Sequence, residues 1–368
     1  MELDREMLLR IRDRAAGYDR DNAFFDEDLV ELSDAGYLRV RPLLETCRDQ
    51  RRLAAFAPAT ALAVNMHLVW VGVARVLRDR GDHSLDWVLA DAAAGEVFGF
   101  GISEPGNDLV LWDSATSAER AETGWAFTGT KVFTSLAPAW TRLGVFGRAE
   151  TTEGPRLVHG FLTRDDIGVT TLDDWDTLGM RATQSRTTVL DHALVPDERI
   201  SRILPVGPNA DPFVFGIFSN FLLLIASVYA GVADRALELA VAAVQGRTSR
   251  ATGKSYAQDR DFRWRIADAA LALDALAPDI ESLAGDVDGL VNRGADWFRF
   301  LTGAKHRATE TARAVVDHAV RAAGGSGYRN SAELSRLQRD VLAGIFHPSD
   351  TESIHATVAV NLLGPLEA

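Results

Sequence analysis

The run Val97-Phe98-Gly99-Phe100-Gly101-Ile102-Ser103-Glu104-Pro105-Gly106 decides how the rest of the chain is read. It has β character up to Ile102 and then enters the turn cluster Glu104-Pro105-Gly106-Asn107-Asp108, a strand followed by a stop. Gly99-Phe100-Gly101 does not extend into a glycine-rich dinucleotide fingerprint, and no helix follows it. That argues against a doubly wound nucleotide-binding sheet.

Moving outward, the chain differs on the two sides of this run. Upstream, helical periodicity covers residues 1–17, 26–36, 59–80 and 83–95, with Asp26 as an N-cap and Pro58 ahead of the third helix; residues 41–51 show no clear period and read as a loop. Downstream, strands are expected at 97–102, 125–128, 131–134, 157–163 and 187–190, with Thr128-Gly129-Thr130 as a turn. Long helices return at 213–248, 259–285 and 295–324, with a last one after Glu333 and a breaker region at 247–258. Helices, a β block and helices again predict an α+β chain of three modules, 1–95, 96–205 and 206–368.

With 368 residues, 47% of them hydrophobic, the chain has ample material for such cores. A formal net charge of -13 argues against a nucleic-acid partner, whose phosphates call for clustered Lys and Arg. The single cysteine, Cys47, leaves no internal disulfide and no Cys-based zinc site, and no metal is expected. The charged start Met1-Glu2-Leu3-Asp4-Arg5-Glu6 lacks the apolar core of a signal peptide, and together these features fit the reducing cytoplasm. Residues 212–233 carry no charge and are long enough to span a bilayer. However, Ser219, Asn220 and Ser227 interrupt them, and the helix continues into Asp234-Arg235-Ala236-Leu237-Glu238, so the segment reads as a bundle core helix, not a membrane span.

Several motifs stand in a telling order: Ser103-Glu104-Pro105-Gly106, then Thr128-Gly129-Thr130-Lys131-Val132-Phe133-Thr134-Ser135, then Leu178-Gly179-Met180-Arg181-Ala182-Thr183 and Val195-Pro196. Near the end come Ala323-Gly324-Gly325-Ser326-Gly327-Tyr328 and Arg336-Leu337-Gln338-Arg339-Asp340. In this order, over most of the chain, the set resembles the acyl-CoA dehydrogenase superfamily of flavoproteins. The resemblance implies an N-terminal helical domain, a middle β-domain and a C-terminal four-helix bundle, binding FAD and forming a homodimer or homotetramer. A flavin ring needs hydrogen bonds at its pyrimidine edge and N5, and flat apolar walls. Carried over by motif, Phe100 and Ser103 would face the pyrimidine edge, Phe133 would flank the ring, and the Ser135 hydroxyl would sit at N5. Asn107, in the turn after the first motif, would touch substrate, and Arg250, Gly324 and Gly325 would serve the dinucleotide end. That end departs from the family pattern: Arg250-Ala251-Thr252-Gly253-Lys254 lacks the expected Phe, and Arg321 replaces a Gln. Taken alone, the glycines at 324–327 read as a helix C-cap turn.

The expected catalytic Glu is missing. Alignment on Arg339-Asp340 puts Pro348 in its place, and the alternative helix position falls on Phe221, flanked by Asn220 and Leu222. Asp350, Glu352 and His347 remain as candidate bases, His347 because a neutral imidazole is available near pH 7. A second resemblance enters here. Flavin-dependent monooxygenases of the same fold carry a His at this loop and a Ser at the N5 hairpin, matching His347 and Ser135, and often a further His near His67. Such enzymes borrow reduced FMN or FAD from a reductase. Three readings follow: α,β-dehydrogenation of an acyl thioester with FAD, reduced-flavin monooxygenation, or a homologue that kept the fold without the chemistry.

Overall fold

The computed structural model describes residues 3–364 and 366, so Met1 and Glu2 of the first expected helix lie outside the described residues. Five helices come first: α1 (Arg5–Asp21), α2 (Asp26–Asp34), α3 (Leu43–Ala54), α4 (Pro58–Asp79) and α5 (Asp86–Ala93). Eight strands follow: β1 (Phe98–Gly101), β2 (Ser117–Arg120), β3 (Gly124–Thr134), β4 (Arg142–Thr151), β5 (Gly154–Thr163), β6 (Val169–Thr171), β7 (Arg186–Pro196) and β8 (Ile200–Pro205). The chain then returns to helices: α6 (Pro212–Gln245), α7 (Arg260–Asp274), α8 (Leu276–Asp288), α9 (Asp296–Ala323), α10 (Glu333–Asp340) and α11 (Thr351–Leu363). The sheet runs β6-β7-β3-β2-β4-β5-β8, and β1 lies off this path, paired in parallel with β4. The architecture is α+β and acyl-CoA dehydrogenase-like, with helices on both sides of a central sheet in the chain order.

Helix α6 organises the bundle. Asp211 caps it by accepting from the Phe213 amide, Pro212 opens it, and it is buried on nearly all sides from Phe213 to Ala233. It packs against α3, α4, α8 and α9. Two glycines permit the close approach. A Cβ on Gly72 of α4 would lie 2.0 Å from Oδ1 of Asn220, and one on Gly231 of α6 would lie 2.1 Å from the Arg51 carbonyl. By length and composition α4 and α6 could each cross a membrane, but 94% and 89% of their apolar windows are buried inside the protein.

The local reading needs four corrections. Residues 41–51 are not a loop; most of them belong to α3. Its buried positions are Leu43, Thr46, Cys47, Asp49, Gln50, Leu53 and Ala54, and three of them, Thr46, Asp49 and Gln50, are polar, which hides the helical period. Gln50 belongs inside because it bonds the Tyr37 hydroxyl, Asn65 and the Ala61 carbonyl. Asp26 is not an N-cap but the first residue of α2, whose N-cap position is Phe25. Thr128-Gly129-Thr130 is no turn: β3 runs straight through it, with a register shift between Phe127 and Gly129. A Cβ at Gly129 would lie 2.4 Å from the Thr116 hydroxyl, so the glycine serves a close strand contact, not a reversal. Finally, the expected helix 259–285 is divided into α7 and α8 around Ala275.

Strand β5 also buries a histidine. His159 is 1% exposed, lies nearly parallel to Phe146 (5.3 Å, 14°) and meets the edge of Phe213 at 5.1 Å. Among the described residues neither ring nitrogen has a hydrogen-bond partner. Burial, then the charges of Lys131 and Arg202, push its pKa down to about 3. Only the neutral ring fits, whereas the unfolded chain protonates near the ordinary value of about 6.5. The stability it permits is therefore fully present above that pH and is lost as pH falls toward the folded value. His159→Phe should raise stability by about 1–3 kcal/mol, the cost of an unsatisfied buried polar group. The gain should widen between pH 7 and pH 5 in urea titrations, and an equal acid loss in both proteins would overturn this account.

Candidate active site

The site is built on a buried ion pair. Lys131 of β3 is 0% exposed, and its Nζ donates to Oε1 of Glu104 at 2.5 Å and to the Phe146 carbonyl at 2.7 Å. Burial alone would raise the pKa of Glu104, but the Lys131 ammonium, with hydrogen bonds from Thr116 and Ser114, outweighs it and holds the carboxyl at about 2. Oε2 of Glu104 accepts from the Ala115 amide and from the Asn107 side chain, each at 2.8 Å. Asn107 also donates to the Asp113 carbonyl, and its Oδ1 accepts from the Leu109 amide. The structure thus gives Asn107, expected at substrate, the work of bracing its own loop.

This frame sets Ser103 beside the end of β3, where its carbonyl accepts from the Val132 amide at 2.9 Å. Ser103 is half-buried, and among the described residues its hydroxyl has no protein partner. Ser135 is buried, with its hydroxyl 2.7 Å from that of Ser185, which is in turn 2.7 Å from the Thr183 hydroxyl. The backbone here is strained. Of the eight non-glycine residues with positive φ among the described residues, Asn22, Phe133, Leu136, Met180 and Gln184 cluster around this hydroxyl row. The cluster is tied by Leu136 N–H to the Thr183 carbonyl and by the Gln184 amide to the Asn22 carbonyl. Such strain persists only where the surroundings over-determine it, and it concentrates at functional sites. Its product is Phe133, 59% exposed, held at φ 56° with its ring at right angles to Trp175 (6.2 Å). An exposed flat ring beside an unpartnered hydroxyl and a hydroxyl row matches the walls and edge that an isoalloxazine requires, so these residues fit a flavin.

Phe100 lies deeper. It stacks on Phe221 of α6 (5.4 Å, 17°) and leans on Trp70 of α4 (5.3 Å). Trp70 is 1% exposed and packs in turn on Phe161 and Phe213, so aromatic rings fill the space between α4, α6 and β1. Phe221, at the alternative position for a base, contributes a ring to this wall, and its neighbours Asn220 and Leu222 are buried in the core.

His347 follows α10 on a loop fixed from two sides. Its Nε2 lies 2.8 Å from the hydroxyl of Tyr229, a fully buried residue of α6. Lys305 of α9, 2% exposed, donates to the carbonyls of Gly344 (3.1 Å), His347 (2.9 Å) and Ser349 (2.8 Å). Burial, partly offset by Asp350 and Glu310, lowers the Lys305 pKa to about 8. Burial of the imidazole, then the Lys305 ammonium, lowers the His347 pKa from its ordinary value, so the ring is neutral at pH 7. Asp350 is exposed and engaged as the N-cap of α11, accepting from the Ser353 amide and hydroxyl, and Glu352 is exposed. Neither carboxylate bonds His347. A chain of contacts joins the two halves of the site: Thr183 bonds the Met180 carbonyl, and the Met180 amide donates to Oδ1 of Asp340 (2.6 Å), seven positions before His347. His347 and Ser135 make no direct contact among the described residues.

The other expected residues lie at the ends of α6 and α9. Gly324 ends α9 with φ 64°, Gly325 is exposed, and Arg250 is exposed in the turn after α6. Arg247 binds this helix end, donating to the Ala322 and Ala323 carbonyls. His67 is structural: Nε2 bonds the Leu38 carbonyl and Nδ1 accepts from the Phe98 amide. Tyr229, Lys305 and Ser185 escaped the sequence reading, and Thr183 entered it only as the end of a motif. A tyrosine hydroxyl inside the apolar run 215–232 was the one available signal.

Comparison with known proteins agrees with this geometry. The family model "Acyl-CoA dehydrogenase, C-terminal domain" matches residues 223–349. The chain is 31% identical to the amino sugar nitrososynthase DnmZ of Streptomyces peucetius over 331 residues, 86% of this chain and 78% of that one. It is 27% identical to the putative acyl-CoA dehydrogenase YdbM of Bacillus subtilis (strain 168) over 373 residues, 96% of this chain and 95% of that one. Among solved structures, KijD3 in complex with FMN and dTDP-3-amino-2,3,6-trideoxy-4-keto-3-methyl-D-glucose superimposes with a TM-score of 0.85 at 26% identity, covering 98% of this chain and 92% of that one. The helix–sheet–helix order, the buried Glu104–Lys131 frame and these matches together place the chain in the acyl-CoA dehydrogenase superfamily, whose members are flavin-dependent oxidative enzymes.

Proposed function

We propose that the chain is a reduced-flavin-dependent monooxygenase that transfers one oxygen atom to an amine of a small polar substrate of the amino sugar class. The observation that carries this reading is the state of the His347 loop. Thioester α,β-dehydrogenation needs a carboxylate to remove an α-proton, and that place holds Pro348. Beside it is a neutral imidazole bonded to Tyr229, while Asp350 is occupied as a helix cap. The likeness to a nitrososynthase at 31% identity supports the same reading. So does the aromatic packing of Trp70, Phe100 and Phe221, which leaves the α4–α6 side of the site to side chains and suits a compact substrate better than an acyl chain.

When bound, reduced flavin supplies two electrons, with which dioxygen gives one oxygen atom to the amine nitrogen and the other to water. The chain's own part is to hold and shield. Phe133 walls the ring, Ser103 and Ser135 bind its polar edge, and His347 offers a hydrogen bond to oxygen that gains negative charge. FMN or FAD delivered by a reductase is the cofactor we favour. Arg250, Gly324 and Gly325 would serve a dinucleotide end if FAD is used. A homodimer or homotetramer is the proposed assembly, with modules divided near residues 95 and 205. The second reading, dehydrogenation of an acyl thioester with FAD, draws on the near-full-length likeness to a putative acyl-CoA dehydrogenase. In that case Asp350 or Glu352 must act as base.

The two readings part in one experiment. Protein supplied with reduced FMN, oxygen and a panel of nucleotide-linked amino sugars should yield a product one oxygen heavier. Anaerobic bleaching of bound FAD by acyl thioesters, without any such product, would overturn the proposal in favour of dehydrogenation. Ser103→Val and Ser135→Val should each weaken FMN binding by about 0.5–1.5 kcal/mol in fluorescence titrations. Unchanged affinity in both would move the flavin elsewhere. His347→Ala should keep the fold and lose about a hundredfold in product formation, with oxygen leaving as hydrogen peroxide instead. Asp350→Asn and Glu352→Gln should form product at the parental rate. A large loss in either would return a carboxylate to the chemistry.

A further inference from the structure

We infer that Tyr229 fixes His347 in the Nδ1–H tautomer, so that this imidazole acts as a hydrogen-bond donor at Nδ1 and not as a proton acceptor. The argument begins with what each atom can do. Tyr229 is 0% exposed, and His347 Nε2, at 2.8 Å, is the hydrogen-bond partner of its hydroxyl. Two arrangements of the single proton between them are available. If the hydroxyl donates to Nε2, the tyrosine hydrogen and the imidazole lone pair are both satisfied. If Nε2–H donates to the hydroxyl, the phenolic hydrogen is left buried with no acceptor, and leaving a buried donor unmade is the costly side of any hydrogen-bond exchange. Burial also raises the tyrosine pKa well above its ordinary value, so the hydroxyl keeps its proton.

The surroundings close the other routes. A doubly protonated imidazolium would stand near the Lys305 ammonium with no carboxylate bonded to it. The carbonyls of Gly344, His347 and Ser349 already accept from Lys305. Gly344 permits the arrangement: a Cβ there would lie 3.1 Å from the Tyr229 ring and 3.0 Å from Thr309. Among the described residues Nδ1 of His347 has no protein partner, and it is not sealed from solvent, so its N–H remains available to a bound molecule. His67 shows the opposite arrangement in the same protein. There Nδ1 accepts from the Phe98 amide and Nε2 faces the Leu38 carbonyl, which requires Nε2–H.

The chemical role rests on the function proposed above. A donor held at Nδ1 stabilises oxygen that gains negative charge during transfer from dioxygen. The same nitrogen has no lone pair with which to take an α-proton from a thioester. Tyr229 is then a positioning residue: it acts through the ring it orients.

Long-range 1H–15N correlation spectra of protein labelled with 15N-histidine, recorded at pH 8, test the tautomer directly, with His347→Gln to assign the signal. We expect His347 to show a protonated Nδ1 and an unprotonated Nε2, the reverse of His67. In Tyr229→Phe the fixed pattern should give way to a mixture of tautomers, and the ratio of peroxide to oxygenated product should rise several-fold with little change in substrate KM. A protonated Nε2 in the parent protein would overturn the inference, and that spectrum needs no variant to fold. An unchanged pattern in folded Tyr229→Phe would also overturn it. If Nδ1–H is found but no amine is oxygenated, the tautomer stands and the proposed function falls.

Discussion

The ammonium of Lys131 and the carboxylate of Glu104 meet out of water, and everything at the site is measured from that contact. Taking two charges into a protein interior is expensive, and their mutual attraction compensates only if their remaining hydrogen-bonding capacity is met. Here it is met on both sides. Lys131 also holds the Phe146 carbonyl of β4 and lies over the Phe146 ring, while Glu104 gathers Asn107, Ser114, Ala115 and Thr116 around itself. The pair therefore does more than join two strands. It folds the 104–116 loop into a fixed shape and brings Ser103 to the end of β3, within two residues of the backbone strain at Phe133. Removing either partner would leave a lone buried charge, which costs far more than the intact pair contributes.

The second part of the candidate site, the His347 loop, follows the same logic with different atoms. The loop that bears His347 has its carbonyls directed inward to one lysine and its imidazole directed to one tyrosine. An ammonium has three hydrogens, and Lys305 places all three on this one loop. The two parts are not independent. The Met180 amide bonds Asp340, and a Cβ on Gly179 would lie 2.3 Å from the Arg339 carbonyl, so the segment that carries Ser185 rests on the end of α10. The hydroxyl row and the imidazole are thus referred to a single rigid body.

Much of this was legible from residue order. Ser103-Glu104-Pro105-Gly106 and Arg339-Asp340 are residues whose places are fixed by short-range geometry, a strand end and a helix end, whereas Thr128-Gly129-Thr130 was read as a turn and is a strand interior. What stayed hidden depends on long-range pairing. Lys305 and Tyr229 lie 42 and 118 positions from His347, and neither residue type signals a partner by itself. Helix α3 was hidden for a related reason. Gln50 occupies a core position because Tyr37, Ala61 and Asn65 surround its amide, and a hydropathy pattern cannot express that exchange of polar for apolar. How firmly His347 is held neutral was hidden too, because burial and Lys305, not residue type, set it.

The bidentate bond between Arg339 and Asp19 joins residues 320 positions apart. The strained segment at Gln184 likewise depends on Asn22, the residue that ends α1. During synthesis, then, the Asp19 carboxylate at the end of the first helix must wait for α10 to emerge before it meets Arg339. Closure of so long a loop comes late, since local helices and hairpins form faster than contacts of large sequence separation. The earlier helices and the sheet can assemble while the site is still open, and the segment that carries Ser185 gains its anchor on α10 only when the distant segments dock. Competence for chemistry is in this sense a late event of folding: a chain halted before Arg339 would possess most of its core and the hydroxyl row, but neither the anchor of Met180 on Asp340 nor the loop that bears His347.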